Sequence, residues 1–180
     1  CNNYSYYGSR EDGAYQEFLN VNNWNIIKLP IGINDADAAL IEPTAVMIHV
    51  KNKLINLFDN LDQLQKMRGA IIGGGFLTMI FSKILNILGL PHPDIYDRND
   101  FKIRFVNSKN IKIFNSKDLN NKKNDSYDWV IEASGDPAAF SKSIQIAKPS
   151  GKLILMSNIN DDLKISKNVL SQVLRKELII

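Results

Sequence analysis

Residues 69–89, GAIIGGGFLTMIFSKILNILG, contain the feature that most restricts the fold of this chain. Residues 70–72 form a short apolar run of the kind found in buried parallel strands. Glycines follow at once, and from Phe76 the apolar residues recur near helical spacing. Gly89 then marks the end of the helix. The stretch therefore predicts a strand, a glycine turn and a helix in immediate succession.

This glycine turn matches two thirds of the pattern by which Rossmann units bind dinucleotides. Gly73 would permit the tight turn, and Gly75 would let the backbone approach a pyrophosphate at the helix N-terminus. The third glycine, which only allows close helix–strand packing, is replaced by Thr78. The substitution should affect packing before it affects phosphate contact. A glycine turn with a purely structural role remains the alternative.

An acidic residue follows the next apolar run, in the sequence PDIYDRND. Asp97 lies 24 residues after Gly73, close to the spacing of about 20 residues at which a carboxylate accepts hydrogen bonds from a ribose. An acid there would repel a 2′-phosphate and favour NAD. The neighbouring Arg98 could accommodate that phosphate, so NADP stays possible. The alternative for Asp97 is a solvated turn residue.

Further segments extend the alternation of strands and helices. Strands are predicted at IKIFN (111–115), YDWVIEASG (127–135) and KLILMS (152–157), and the sequence between the last two predicts a helix. Such alternation predicts an α/β fold with a doubly wound parallel sheet. Residues 13–30 instead show short β-type runs divided by Asn turns. We place the domain boundary near residue 48, giving domains 1–48 and 49–180.

Charge and composition exclude several classes of protein. The 22 basic and 19 acidic residues nearly balance, which argues against a nucleic-acid partner. No apolar run reaches the roughly 18 residues of a membrane span, and the polar start lacks a signal peptide, so a cytoplasmic location is expected. The chain begins without methionine and ends in ELII, which reads as an interrupted strand. Both observations indicate a fragment.

Three motifs in this order carry a resemblance to a known family: CNNYSYYGSREDGAYQEF (1–18), ALIEPTAVMIHV (39–50) and VLRKELII (173–180). With them the chain resembles the zinc-dependent medium-chain alcohol and polyol dehydrogenases. It is nearest to the branch of galactitol-1-phosphate 5-dehydrogenase and sorbitol dehydrogenase. The resemblance implies the β-rich end of a GroES-like catalytic domain followed by an NAD-binding Rossmann domain. It also implies oxidation of a secondary alcohol of a polyol or sugar phosphate, and a homo-oligomeric parent protein.

The resemblance also assigns site residues. Glu42 matches a carboxylate at the catalytic zinc, and Cys1 matches one cysteine of a structural zinc site whose other ligands would precede it. Positions matching the family's contacts to NAD, or alternatively NADP, are Gly73, Gly75, Phe76, Leu77, Asp97, Arg98, Ala133 and Ser134. Phe76 stands where the family has a smaller residue, and it could narrow the phosphate path or tuck into the core. No complete catalytic set is present, so the fragment alone should be inactive.

Several other functions stay open. Threonine and simple alcohol dehydrogenases share the expected architecture, and a zinc-free reductase using NADPH would not need Glu42. A methyltransferase also places an acid after a glycine turn, although the β-rich start argues against one. A truncated, non-catalytic nucleotide-binding remnant is the remaining possibility.

Overall fold

The computed structural model describes residues 5–107, 111–121 and 124–180. The chain divides into two compact units, Cys1–Ala39 and Leu40–Ile180. The domain boundary expected at residue 48 falls inside the long first helix of the second unit, Ile41–Leu57.

The first unit holds little regular structure in its described residues. It contains a 3₁₀ turn at Asn23–Asn25 and a short helix, α1 (Asp35–Ala38), whose N-cap Asn34 accepts a hydrogen bond from the backbone N–H of Asp37 at 2.9 Å. The predicted β-type runs over 13–30 form no strand in this described stretch. A strand needs a neighbour to bind its backbone polar groups. These runs have no such neighbour among the residues that the structure describes, and apolar side chains such as Phe18 remain exposed.

The second unit is an α/β structure. Its described helices are α2 (Ile41–Leu57), α3 (Leu61–Leu64), α4 (Phe76–Ile87), α5 (Asp100–Asn107), α6 (Pro137–Ile146) and α7 (Lys167–Arg175). Its described strands are β1 (Gly69–Ile72), β2 (Asp94–Asp97), β3 (Ile113–Asn115), β4 (Tyr127–Glu132) and β5 (Ala147–Leu155). A 3₁₀ segment, Ser116–Asn121, follows β3.

The described strands form one parallel sheet in the order β3-β2-β1-β4-β5. The central strand, β1, pairs with β2 and β4, and Ile71 lies opposite Ile95 on one side and Ile131 on the other. The doubly wound fold predicted from the sequence is confirmed. Beyond β5, Ile179 forms a single parallel bridge to Lys152.

Each face of the sheet has its own apolar core, as the two-residue period of a strand requires. Ile71 faces a cluster that includes Leu54 of α2 and Phe81 of α4. Its neighbour Ile72 faces the opposite cluster, which includes Ile144 of α6. Burial on both faces explains why the strands read as continuous apolar runs rather than alternating ones.

A polar network lies where β2 and β4 begin. Asp94 accepts hydrogen bonds from Arg68 at 2.9 Å and from the Tyr127 hydroxyl at 2.7 Å. The Tyr127 and Tyr96 hydroxyls lie 2.8 Å apart. Burial, reinforced by these hydrogen bonds, raises the pKa of Tyr127.

None of the helices in the described ranges combines the length and apolar character that a bilayer span requires.

Candidate functional site

A cavity of about 320 Å³ lies at the carboxyl ends of β1, β2 and β4. The chain runs from β1 to one side of the sheet through β2 and β3, and then to the other side through β4 and β5. Open parallel sheets bind ligands at such a switch point. The cavity is lined by Ile72, Gly73, Gly75, Tyr96, Asp97, Arg98, Asn99, Lys102, Ser116, Ala133, Ser134, Asp136 and Ala139.

Gly73 is required by the fold itself. Its φ of +116° lies in a region that residues other than glycine rarely adopt. A Cβ atom at this position would lie 2.7 Å from the carbonyl carbon of Ala133. Its N–H donates to the Tyr96 carbonyl, and the Ala133 N–H donates to the Ile72 carbonyl, each at 2.8 Å, so the turn is fixed against both neighbouring strands.

Gly75 differs, because nothing in the described chain occupies the space in front of it. Its φ is an ordinary −80°, and a Cβ atom there would meet no atom within 4 Å. Gly75 is the N-cap of α4 and supplies no side-chain hydrogen bond to the helix start. The first N–H groups of a helix favour an anion. The position therefore fits a pyrophosphate approaching the backbone.

Asp97 fastens the glycine turn to the end of β2. Its Oδ2 accepts a hydrogen bond from the Gly74 N–H, and its Oδ1 accepts one from the Asn99 N–H, each at 2.8 Å. Only 8% of the residue is exposed, so the alternative of a solvated turn residue is wrong. An ionised carboxylate has about four acceptor sites. Asp97 therefore keeps capacity for ribose hydroxyl donors.

Thr78, at the position of the missing third glycine, is part of the turn. Its buried hydroxyl donates to the Gly73 carbonyl at 2.6 Å. One turn later the Ser82 hydroxyl donates to the Thr78 carbonyl at 2.9 Å. A glycine at this position would only pack against the turn. Threonine is accommodated because its hydroxyl forms a hydrogen bond to the turn.

Phe76 and Leu77 begin α4, but the structure does not bring their side chains to the cavity. Phe76 is 52% exposed, so it does not tuck into the core, and it is absent from the described cavity lining. Leu77 packs against the core on the α2 face of the sheet. A role in binding for either residue would come from its backbone N–H.

The turn after β4 is held by Glu132, a fully buried carboxylate. Its Oε1 accepts hydrogen bonds from the Ser134 N–H at 2.8 Å, the Ser134 hydroxyl at 2.5 Å and the Gly135 N–H at 3.1 Å. Ala133 and Ser134, which the resemblance assigns to the cofactor, line the cavity. The Ser134 hydroxyl is already engaged with Glu132.

Charges of both signs surround the cavity. Arg98 Nη1 and Asp136 Oδ2 form an ion pair at 3.1 Å, joining the end of β2 to the start of α6. Asp97 and Lys102 supply a second carboxylate and a second cation. An adjoining cavity of about 470 Å³ shares Asp136 and extends to Lys142, where burial lowers the pKa of the amine.

The described residues do not build a zinc site. Across 5–107, 111–121 and 124–180, no group of three or more His, Cys, Asp or Glu side chains could hold a metal ion. Glu42 lies exposed in the first turn of α2. Cys1 lies outside the described residues. The zinc roles of both residues stay predictions.

Sequence reasoning missed several residues of the site. Glu132 was detectable as an acid ending the apolar strand YDWVIE, and Asp136 as a cap before Pro137. Lys102 and Ser116 gave no such sign, because only the pairing of β2 with β3 brings them to the same edge.

No protein-family model matches this chain. The galactitol 1-phosphate 5-dehydrogenase of Escherichia coli strain K12 is 26% identical over 188 residues, covering 100% of this chain and 52% of that protein. The L-threonine 3-dehydrogenase of Aliivibrio salmonicida is also 26% identical, over 190 residues, with the same coverage. The crystal structure of the Escherichia coli galactitol-1-phosphate dehydrogenase superposes with a TM-score of 0.80 at 25% identity. It covers 99% of this chain and 52% of the other.

These comparisons support the resemblance at the level of the medium-chain alcohol and polyol dehydrogenases and their fold. The chain spans about half the length of the curated relatives it matches.

Proposed function

We propose that this chain is part of an NAD-linked dehydrogenase that oxidises a secondary alcohol of a polyol or sugar phosphate to a ketone. The observation that carries the dinucleotide site is Gly75, which faces open space before the uncapped start of α4. The fold does not require glycine there, whereas a ligand lying against the backbone does. The similarity to galactitol 1-phosphate 5-dehydrogenase supports the substrate class.

Within this proposal each part of the cavity has a task. The backbone N–H groups at the start of α4 bind the pyrophosphate, and Gly75 leaves room for it. Asp97 accepts hydrogen bonds from the adenosine ribose, and its charge disfavours a 2′-phosphate. Ala133 and Ser134 border the cofactor along the end of β4. The bound cofactor supplies the acceptor for the hydride that leaves the substrate carbon.

We include a catalytic zinc ion in the proposal because Glu42 could serve as one of its ligands. A carboxylate is an ordinary zinc ligand, and Glu42 would supply one ligand of a catalytic site and Cys1 one ligand of a structural site. Because the described residues complete neither site, we assign no step to a metal. Residues 1–48 are likewise proposed to form the end of a GroES-like catalytic domain.

A second candidate substrate is L-threonine, since an L-threonine 3-dehydrogenase matches the whole chain with equal identity. Both substrates would be oxidised at a secondary alcohol, so the dinucleotide site serves either reaction. NAD-linked turnover of galactitol 1-phosphate, sorbitol and L-threonine by the complete natural protein separates the two. Glu42→Ala is the matched variant, and we expect it to lose turnover with every substrate that the wild type oxidises.

The dinucleotide site is tested by titrating the chain with NADH in a calorimeter. We expect Gly75→Ala to weaken NADH binding at least tenfold, because the added methyl group lies in the pyrophosphate path. Phe76→Ala is the control from the adjacent position, and its effect should stay below about twofold because the phosphate contacts there are made by the backbone. Equal affinity of Gly75→Ala and wild type would contradict this placement. A folded wild type without affinity for NADH would overturn the site altogether.

A further inference from the structure

Arg98 and Asp136 connect two loops that border the same cavity. Arg98 follows β2, Asp136 precedes α6, and their side chains meet at 3.1 Å. Asp136 is also held by its own helix, since its Oδ1 accepts a hydrogen bond from the Ala138 N–H at 2.8 Å. The Arg98 side chain is 82% exposed. The better fixed partner, Asp136, therefore sets where the guanidinium lies.

The charges of the four acidic and basic side chains that line the cavity among the described residues cancel. Asp97 and Asp136 are negative, and Arg98 and Lys102 are positive. A ribose 2′-phosphate would bring close to two further negative charges to the end of β2. An arginine binds such a group well through its planar fork of donors. Arg98 follows Asp97 directly, but its guanidinium is already engaged with a carboxylate.

We propose that Asp136 strengthens the preference for NAD over NADP, beyond the effect of Asp97, by holding Arg98 in this ion pair across the cavity. The inference rests on the proposed dinucleotide site. While the pair is closed, a 2′-phosphate meets two carboxylates and a neutralised arginine, so NAD is preferred. Once the charge of Asp136 is removed, Arg98 is free to bind the 2′-phosphate.

The expected effect is moderate, because an exposed ion pair is weak. The equilibrium between the closed and the open ion pair favours the closed form by no more than about fivefold. Removing the Asp136 carboxylate also removes its repulsion of the phosphate. Together these effects should tighten NADPH binding by about five- to tenfold. NADH lacks the 2′-phosphate, so its affinity should change less than about twofold.

Asp136→Asn isolates the charge from the structural role of the residue. Asparagine is as good an N-cap as aspartate, so its side-chain oxygen can still accept from the Ala138 N–H. The experiment compares wild type, Asp136→Asn, Arg98→Gln and the double variant. The dissociation constants of NADH and NADPH are measured for each by calorimetry at one fixed salt concentration. Thermal unfolding of each variant checks that the fold is kept.

The inference is supported if Asp136→Asn tightens NADPH binding in the wild-type background and not in the Arg98→Gln background. An equal gain in both backgrounds would overturn it, since the charge of Asp136 would then act without Arg98. The absence of any gain in NADPH affinity would overturn it as well. If the folded wild type binds neither dinucleotide, the proposed site fails first and this inference falls with it.

Discussion

The turns that follow β4 and β1 lie at the same edge of the sheet, and they differ in whether a side chain caps the helix that comes next. After β4, Glu132 accepts the N–H groups of Ser134 and Gly135, and Asp136 caps α6. After β1, α4 begins at Gly75 without a side-chain cap. The N–H groups of Gly73 and Gly74 in this second turn are also bonded, to the Tyr96 carbonyl and to Asp97. The difference between the turns therefore lies at the start of the following helix, which has a side-chain cap in α6 and none in α4. The start of α4 can therefore bind an anion because Gly75 has no side chain that would cap the helix.

The largest expected effect concerns the turn after β4. Glu132→Ala should lower the free energy of unfolding by about 3 kcal/mol, because it leaves two backbone N–H groups and a hydroxyl without their buried acceptor. Urea unfolding measures the loss. Glu132→Gln keeps an oxygen acceptor in the same shape and should lose clearly less. Equal losses in the two variants would mean that this turn depends on the negative charge or the second oxygen of the carboxylate, rather than on a single oxygen acceptor of the right shape.

The next effect separates the two outer glycines of the other turn. Gly73→Ala should cost about 2 kcal/mol of stability, because its positive φ is strained for alanine and the methyl group meets Ala133. Gly75→Ala should change stability by less than about 0.5 kcal/mol, since φ is ordinary, the space is open, and the gain from a less flexible unfolded chain offsets alanine's poorer N-cap. The two variants are compared in one denaturation series. Similar losses would contradict the distinction between a glycine kept for the fold and one kept for a ligand.

Gly75→Asp would give α4 an acidic N-cap, as Asp136 already provides for α6. A carboxylate at the N-cap of α4 should stabilise the chain by a few tenths of a kcal/mol. The same charge should weaken NADH binding at least tenfold, because it occupies and repels the pyrophosphate position. Calorimetric titration and thermal unfolding of the same sample give both quantities. A variant that binds NADH as tightly as wild type would show that the anion does not lie at this helix start.

The smallest effect concerns the link from helix to turn. Thr78→Val removes the hydroxyl that donates to the Gly73 carbonyl and should cost about 1 kcal/mol of stability. NADH affinity should change less than about twofold, because the phosphate contacts come from backbone groups. Ser82→Ala, which removes a similar buried hydroxyl one turn further from the cavity, is the matched control for stability. A large loss of affinity in Thr78→Val alone would assign Thr78 to the binding site.

The sheet could be predicted from the sequence because its signals are local. The apolar run at 70–72, the glycines after it and the change to helical spacing at Phe76 each follow from a few adjacent residues. The first unit could not be predicted in this way. Its β-type runs have the composition of strands, but strand formation depends on a partner that composition does not specify.

The site was predictable where a local sequence pattern marks its residues. Gly73, Gly75 and Asp97 match the spacing of the dinucleotide-binding pattern, and the structure brings them to one cavity. The pairing of Arg98 with Asp136 joins residues 38 positions apart in the sequence. It depends on the adjacency of β1 with both β2 and β4, so no local pattern could indicate it.

The central place of β1 in the sheet has a consequence for the order in which the chain matures. Its partner β4 begins 55 residues after β1 ends, so during synthesis β1 can first pair only with β2. The cavity lacks one wall until residues up to Ala139 have left the ribosome. Such long sequence separation slows folding. A nascent chain stalled before β4 should therefore lack the proposed dinucleotide site, and NADH binding would report that both halves of the sheet have joined.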